Sequence, residues 1–344
     1  METTSMMSGD LYNAIQPPDD DRLGVLTATA PVARAAQYVR LDGGAIALCA
    51  RRWAGAPWPD QVGLDALHFA DGTERTANWV LLLDALNFCF WGEPGQPRWR
   101  VEWHGHTLDG YAALAAALSR AVEDGHPLWD AAYLSGLNSG ELQEILRPVA
   151  GSPEIPLFEA RLTNAREVGR VLLARYDGQF VRAYEAAGGS AVSLTLLLAR
   201  DFSSFADMAE WRGTRVPFLK RAQICVADLN AAFHGQQWGA FDDLAALTAF
   251  ADYKLPQLLR SQNVLVYAPE LAARIDAYEP ISPGSEEEIE IRAATVWAVE
   301  LLRSALEQQG ISRPASAIDY RLWAESQAHT ISERPYHRTR TIYY

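Results

Sequence analysis

The chain has 344 residues, 49% hydrophobic and 21% charged, and carries a formal net charge of −13. That length suits one large core or two closely packed ones, and no run of about 18 apolar residues is present to span a bilayer. The acidic balance opposes the counterion release by which proteins grip nucleic acid through its phosphates, and fits a small or cationic ligand better.

Residues 1–21 are polar and acidic and lack a basic-then-apolar signal peptide, so they read as a flexible leader. Residues 22–344 read as a single compact catalytic unit whose size also admits two closely packed helical lobes. Cys49, Cys89 and Cys225 are widely spaced and sit in apolar surroundings, which predicts buried thiols in a cytoplasmic protein and no zinc site.

Asn87-Phe88-Cys89-Phe90-Trp91, preceded by Asn78-Trp79, is an aromatic run that reads as core, with Asn87 the polar member that needs partners. Around 98–108, alternation over residues 99–103 and the His104-Gly105 turn predict one small β-hairpin. Residues 111–123, rich in alanine and leucine, predict a helix closed by Asp124-Gly125. Asn138 with Glu141 has capping-box spacing. Phe158, Leu162, Ala165, Val168, Leu172 and Tyr176 recur at helical spacing up to Asp177-Gly178. A further helix is predicted over 216–233, closed by His234-Gly235. Asp242-Asp243 open a short helix through Leu244, Leu247 and Phe250; Asp252-Tyr253-Lys254 interrupts it, and Leu255-Pro256 starts a second, making a helical hairpin with a carboxylate at its bend. Residues 280–284 form a loop, and Ser285 with three glutamates caps a helix running to Gly310. Ser316 and Asp319 have the spacing of another helix start.

The dinucleotide, phosphate-loop, esterase and zinc-protease motifs are absent, so the chemistry falls to carboxylates and aromatics. Asp252, before a helix start, is either a simple cap or an ionised carboxylate aimed at a developing cation. Asp228, in Ala227-Asp228-Leu229, is a functional acid or the partner of Lys220 or Arg221. Asp319 is a cap or an acceptor for a guanine-like edge, with Tyr320 or Trp323 packing the ring. His68 is a lone histidine and by default structural. The basic, aromatic tail 335–344 suits a phosphate or a docked terminal strand equally.

Leu86-Asn87-Phe88-Cys89-Phe90-Trp91, Lys220-Arg221-Ala222-Gln223 with Ala227-Asp228, Phe250-Ala251-Asp252-Tyr253-Lys254-Leu255-Pro256-Gln257, Glu290-Ile291-Arg292 and His337-Arg338 with Ile342-Tyr343-Tyr344 together resemble the queuosine salvage protein family. The resemblance runs from about residue 78 to 344. It implies a mainly α fold similar to the helix-hairpin-helix DNA glycosylases, and hydrolysis of queuosine 5′-phosphate to release queuine for reuse in tRNA. By position it implies Asp252 as the catalytic residue, and Phe250, Asp319, Trp323 and His68 as lining the queuine pocket. Asp228, Tyr320, Lys220 and Lys254 join them as substrate-binding candidates. For the 5′-phosphate the basic candidates are Lys220, Arg221, Lys254, His337, Arg338 and Arg340. The family often carries an aspartate after the tryptophan of the third segment, where this chain has Ala324 and then Glu325. The expectation is a monomer that needs no metal or cofactor and takes a small nucleotide rather than nucleic acid or membrane. The alternatives are a non-catalytic queuine- or nucleotide-binding protein, and a base-excision enzyme of the DNA-glycosylase kind.

Overall fold

The computed structural model describes residues 8–59, 67–327 and 334–344. The described residues are mainly helical, with three two-stranded antiparallel sheets among them. The chain divides into two compact units, each assembled from separated stretches of sequence.

The first unit takes Met1–Pro59, Asp207–Lys220 and Ala245–Arg340. Its centre is the long helix Glu286–Glu307, against which the helices Val25–Arg34, Gly43–Ala54, Lys254–Ser261 and Ala315–Gln327 pack. The long helix begins as its residues dictate: the Ser285 side chain accepts the Glu288 amide, and three glutamates occupy the positive first turn. It then buries almost every face, from Ile289 through Leu302, as a helix enclosed on all sides must. Strand Val39–Leu41 pairs antiparallel with Leu265–Tyr267, and Met208–Trp211 pairs with Thr214–Pro217. Of the leader expected over 1–21, the first seven residues lie outside the described residues. The rest includes a helix over Ser8–Asn13, and Leu11 and Ile15 are buried.

The second unit takes Asp60–Ala206, Arg221–Leu244 and Thr341–Tyr344. Helices Glu74–Leu86, Gly110–Glu123 and Phe158–Arg175 build its core. The predicted hairpin is present as Arg100–Trp103 with His106–Asp109, turned by His104 and Gly105, both at positive φ. The Asn138–Glu141 capping box is complete in both directions. Helix Ala131–Gly136 crosses Phe158–Arg175 so closely that a Cβ on Gly169 would lie 2.3 Å from the Ser135 amide nitrogen and 2.5 Å from the Ala131 carbonyl oxygen. Backbone cannot yield as a side-chain tip can, so Gly169→Ala is expected to destabilise the protein by roughly 1–3 kcal/mol despite alanine's better helix propensity. Chemical denaturation checks this, and an unchanged midpoint would refute the close crossing.

Two predicted helices are corrected. The helix placed over 216–233 spans Lys220–Ala232. Val216 and Pro217 instead belong to a strand, and the turn that follows is held by the Asp207 carbonyl, which accepts the Phe218 and Leu219 amides. The helix placed over 242–250 reduces to a single 3-10 turn, Leu244–Ala246. Its expected opening residue, Asp243, is used elsewhere: its carboxylate accepts the Ser190 hydroxyl at 2.7 Å and the Ala191 amide at 2.5 Å, at the start of helix Ala191–Asp201. Asp252 therefore follows an irregular segment, and no helical hairpin brackets it.

Candidate active site

Residues 247–253 carry no helix or strand, so their backbone groups must find partners outside a ladder. Asp252 supplies one solution locally. Its Oδ1 accepts the amides of Lys254 at 2.8 Å and Leu255 at 2.9 Å, at the start of helix Lys254–Ser261. Pro256 lies in the first turn, where a missing N–H leaves no bond unmade. Both amides and the helix dipole stabilise negative charge on this half-buried carboxylate. The cap predicted from sequence is thus present, and it orients the side chain.

Asp319 is the second carboxylate. It lies inside helix Ala315–Gln327, one turn beyond the start, so it does not cap that helix in partnership with Ser316. Its Oδ2 instead accepts the Phe250 amide at 2.7 Å. Asp319 is 5% exposed, and burial, with the nearby negative charge of Asp252, pushes its carboxyl up to about 8 against the pull of the Phe250 amide and Lys220. Two carboxyl groups with contrasting environments, one served by a helix terminus and one desolvated, are a recurrent arrangement of hydrolytic sites.

Lys220, buried, opens helix Lys220–Ala232 and adds positive charge near Asp319. The Lys254 ammonium donates to Gln257 Oε1 at 2.9 Å, and Gln257 in turn donates to the Arg334 carbonyl at 2.7 Å. The rings of Tyr320 and Trp323, one helical turn apart, stack at 5.9 Å with 28° between planes. Phe250 is buried, two residues before Asp252 in the chain, and its amide is the one that Asp319 accepts. Phe250, Asp252, Lys254, Lys220, Asp319, Tyr320 and Trp323 therefore all belong to the first unit.

His68 and Asp228 belong to the second unit, where Tyr111 joins them: His68 Nε2 lies 2.8 Å from the Tyr111 hydroxyl, which donates to Asp228 Oδ2 at 3.4 Å. Burial and the charge of Asp228 push the Tyr111 phenol upward, so it remains a donor. Sequence reasoning missed Tyr111, which looked like the first residue of an ordinary helix. Arg221, one of the phosphate candidates, is spent on structure: it is buried and donates to the carbonyls of Asp84, Ala85 and Ser204.

The basic tail forms no strand and touches the loop before the long helix through one isolated bridge. Arg338 bridges Pro280 in parallel, its carbonyl accepting the Ile281 amide at 2.9 Å. His337 is fully enclosed, and burial together with Arg292 holds its imidazole down to about 3, so it offers no charge to a phosphate at neutral pH. Glu325 is likewise committed, accepting from Arg52, Gln262 and Arg321 at 3.1–3.3 Å. Among the described residues no group of three or more His, Cys, Asp or Glu side chains is placed to hold a metal ion, and no helix is long and apolar enough to cross a membrane.

Residues 67–344 match the family described as queuosine salvage protein. A protein of Sphaerobacter thermophilus named queuosine 5′-phosphate N-glycosylase/hydrolase is 50% identical over 94% of this chain and 98% of its own length. Proteins of the same name are 35% identical in Mus musculus, over 86% of this chain and 89% of theirs, and 33% identical in Schizosaccharomyces pombe, over 75% and 76%.

Proposed function

The chain belongs to the queuosine salvage protein family, and from that membership we propose that it hydrolyses the N-glycosidic bond of queuosine 5′-phosphate, releasing queuine and ribose 5-phosphate. The observation that carries this reading is the Asp252 carboxylate, fixed by two helical amides in the same unit as the buried Asp319. Cleavage breaks the bond from C1′ to the base nitrogen, sends the electron pair to the base, and leaves an oxocarbenium-like sugar. We assign Asp252 Oδ2 to that cation, by attack at C1′ or close electrostatic contact, with a water completing hydrolysis.

Queuine is a 7-deazaguanine and has no N7 to protonate, so recognition and departure depend on its other edge. Asp319, as carboxylate, accepts the base's N–H groups; Tyr320 and Trp323 pack the ring, and Phe250 closes against it. Lys220 balances the carboxylates, and Lys254 is the cation we assign to the 5′-phosphate. With Arg221, His337 and Glu325 otherwise engaged, they take no part. His68 and Asp228, the remaining substrate-binding candidates, form their own hydrogen-bonded set with Tyr111 within the second unit.

The same reading makes the protein a cytoplasmic monomer acting on a free nucleotide without cofactor, supported by its acidic charge and three buried free thiols. A likeness to helix-hairpin-helix glycosylases rests on the carboxylate at a helix N-terminus alone. Queuosine and its 5′-phosphate assayed side by side by liquid chromatography test the assignment. Release from the nucleotide at a higher kcat/KM is expected, lowered by Lys254→Ala. Equal rates on both substrates would remove the phosphate contact, and release from neither would remove the glycosidase.

A further inference from the structure

The segment 250–252 lies outside regular structure, yet it is tied down at three consecutive residues. Asp319 holds the Phe250 amide, and Asp252 caps the Lys254–Ser261 helix. The third tie is the Ala251 carbonyl, which accepts a hydrogen bond from Arg292 Nε at 3.1 Å. Ala251 immediately precedes Asp252, so the direction of its carbonyl sets the plane of the peptide from which Asp252 springs.

Arg292 is itself held with unusual completeness. It is 2% exposed, in the middle of helix Glu286–Glu307. Its Nη1 and Nη2 meet Asp207 Oδ1 and Oδ2 at 2.9 and 2.6 Å, and its guanidinium lies 4.0 Å from the centre of the Phe218 ring. Asp207, 1% exposed, also accepts the Lys220 amide at 3.0 Å. A guanidinium clamped in plane by a carboxylate on two nitrogens has its third donor direction fixed. Buried ion pairs of this kind contribute little net stability against apolar substitutes, which leaves orientation as the role the geometry supports.

We propose that the buried Arg292–Asp207 pair is a positioning device for Asp252, acting through the Ala251 carbonyl. The cap aligns the carboxylate with the Lys254–Ser261 helix, and Arg292 aligns its peptide with the long central helix. Only the two together specify where the carboxylate oxygens lie. The inference rests on Asp252 being the catalytic carboxylate.

Arg292→Lys tests it. A lysine can still pair with Asp207 but cannot also donate to Ala251 along the guanidinium plane. The expected result is a kcat about tenfold lower with KM within twofold, as a small misplacement of a reacting group produces. Arg260→Lys is the control: Arg260 is equally buried and makes a bidentate pair with Asp276 at 2.7 and 2.9 Å, in the helix that Asp252 caps but bonded to a different partner. It should leave kcat within twofold. Asp207→Asn, which keeps an acceptor for the Lys220 amide but loses the ion pair, should repeat the Arg292→Lys split and serves if the lysine variant does not fold. Equal losses in Arg292→Lys and Arg260→Lys, or a rise in KM at constant kcat, would overturn the proposal. If Asp252→Asn abolishes turnover while Arg292→Lys does not lower it, the positioning role fails alone; if Asp252→Asn keeps turnover, the assignment of the site fails first.

Discussion

Asp252→Asn is expected to keep the fold and a near wild-type KM for queuosine 5′-phosphate while losing about 10²–10³-fold in kcat, the scale of removing one preorganised electrostatic contact from a transition state. The expectation separates the two roles of this residue. Asparagine is as good a cap as aspartate, so its side-chain oxygen can still accept the Lys254 and Leu255 amides that Oδ1 accepts now. What it cannot supply is the negative charge that we assign to the oxocarbenium-like sugar. Asp252→Ala removes both, and should add a stability loss of about 1 kcal/mol to the same catalytic defect. Steady-state rates and denaturation midpoints on the two variants make the comparison. An asparagine variant that turns over at the wild-type rate would place the catalytic carboxylate elsewhere.

The second large effect is on pH. Asp319 has its carboxyl raised from the ordinary 3.8 to about 8, first by burial and then by Asp252. Between those values the folded protein binds a proton that the unfolded chain does not. The stability associated with it is fully present below the unfolded value and is lost as pH rises to about 8, at a limiting rate of roughly 1.4 kcal/mol per pH unit between the two values, and no further loss from this group follows above about 8. Activity should move in the opposite direction. If Asp319 accepts the N–H groups of the base as carboxylate, the competent form is the minority below pH 8. Then kcat/KM climbs close to tenfold per pH unit up to that value and levels beyond it. Asp319→Asn should flatten both the stability slope and this limb. Urea titrations and rate profiles from pH 6 to 9.5 read the two separately, and a wild-type kcat/KM that falls across this range would show that the protonated acid is the form the substrate needs.

Some of this architecture was legible because its causes lie within a few residues. The Asn138–Glu141 and Ser285–Glu288 caps, the His104-Gly105 turn and the Asp252 cap each use partners no more than three residues apart. The failures have the opposite character. Asp243 carried the local signal of a helix start, but its carboxylate goes to Ala191, 52 residues away. Val216 and Pro217 follow a helix-compatible pattern, yet pair with Met208 and Ala209 across a tight turn. Asp319 had cap spacing, yet serves the Phe250 amide 69 residues earlier.

By itself, then, the sequence determined the mainly helical class, the family through its specific strings, and the identity of Asp252 as a carboxylate at a helix start. Only the tertiary structure decided what that carboxylate is surrounded by. The raised Asp319, the Arg292–Asp207 clamp on Ala251 and the neutral, enclosed His337 all arise from burial and from bonds between residues distant in the chain. Desolvation and hydrogen-bond direction depend on what packs around a group, and no spacing along the chain encodes that.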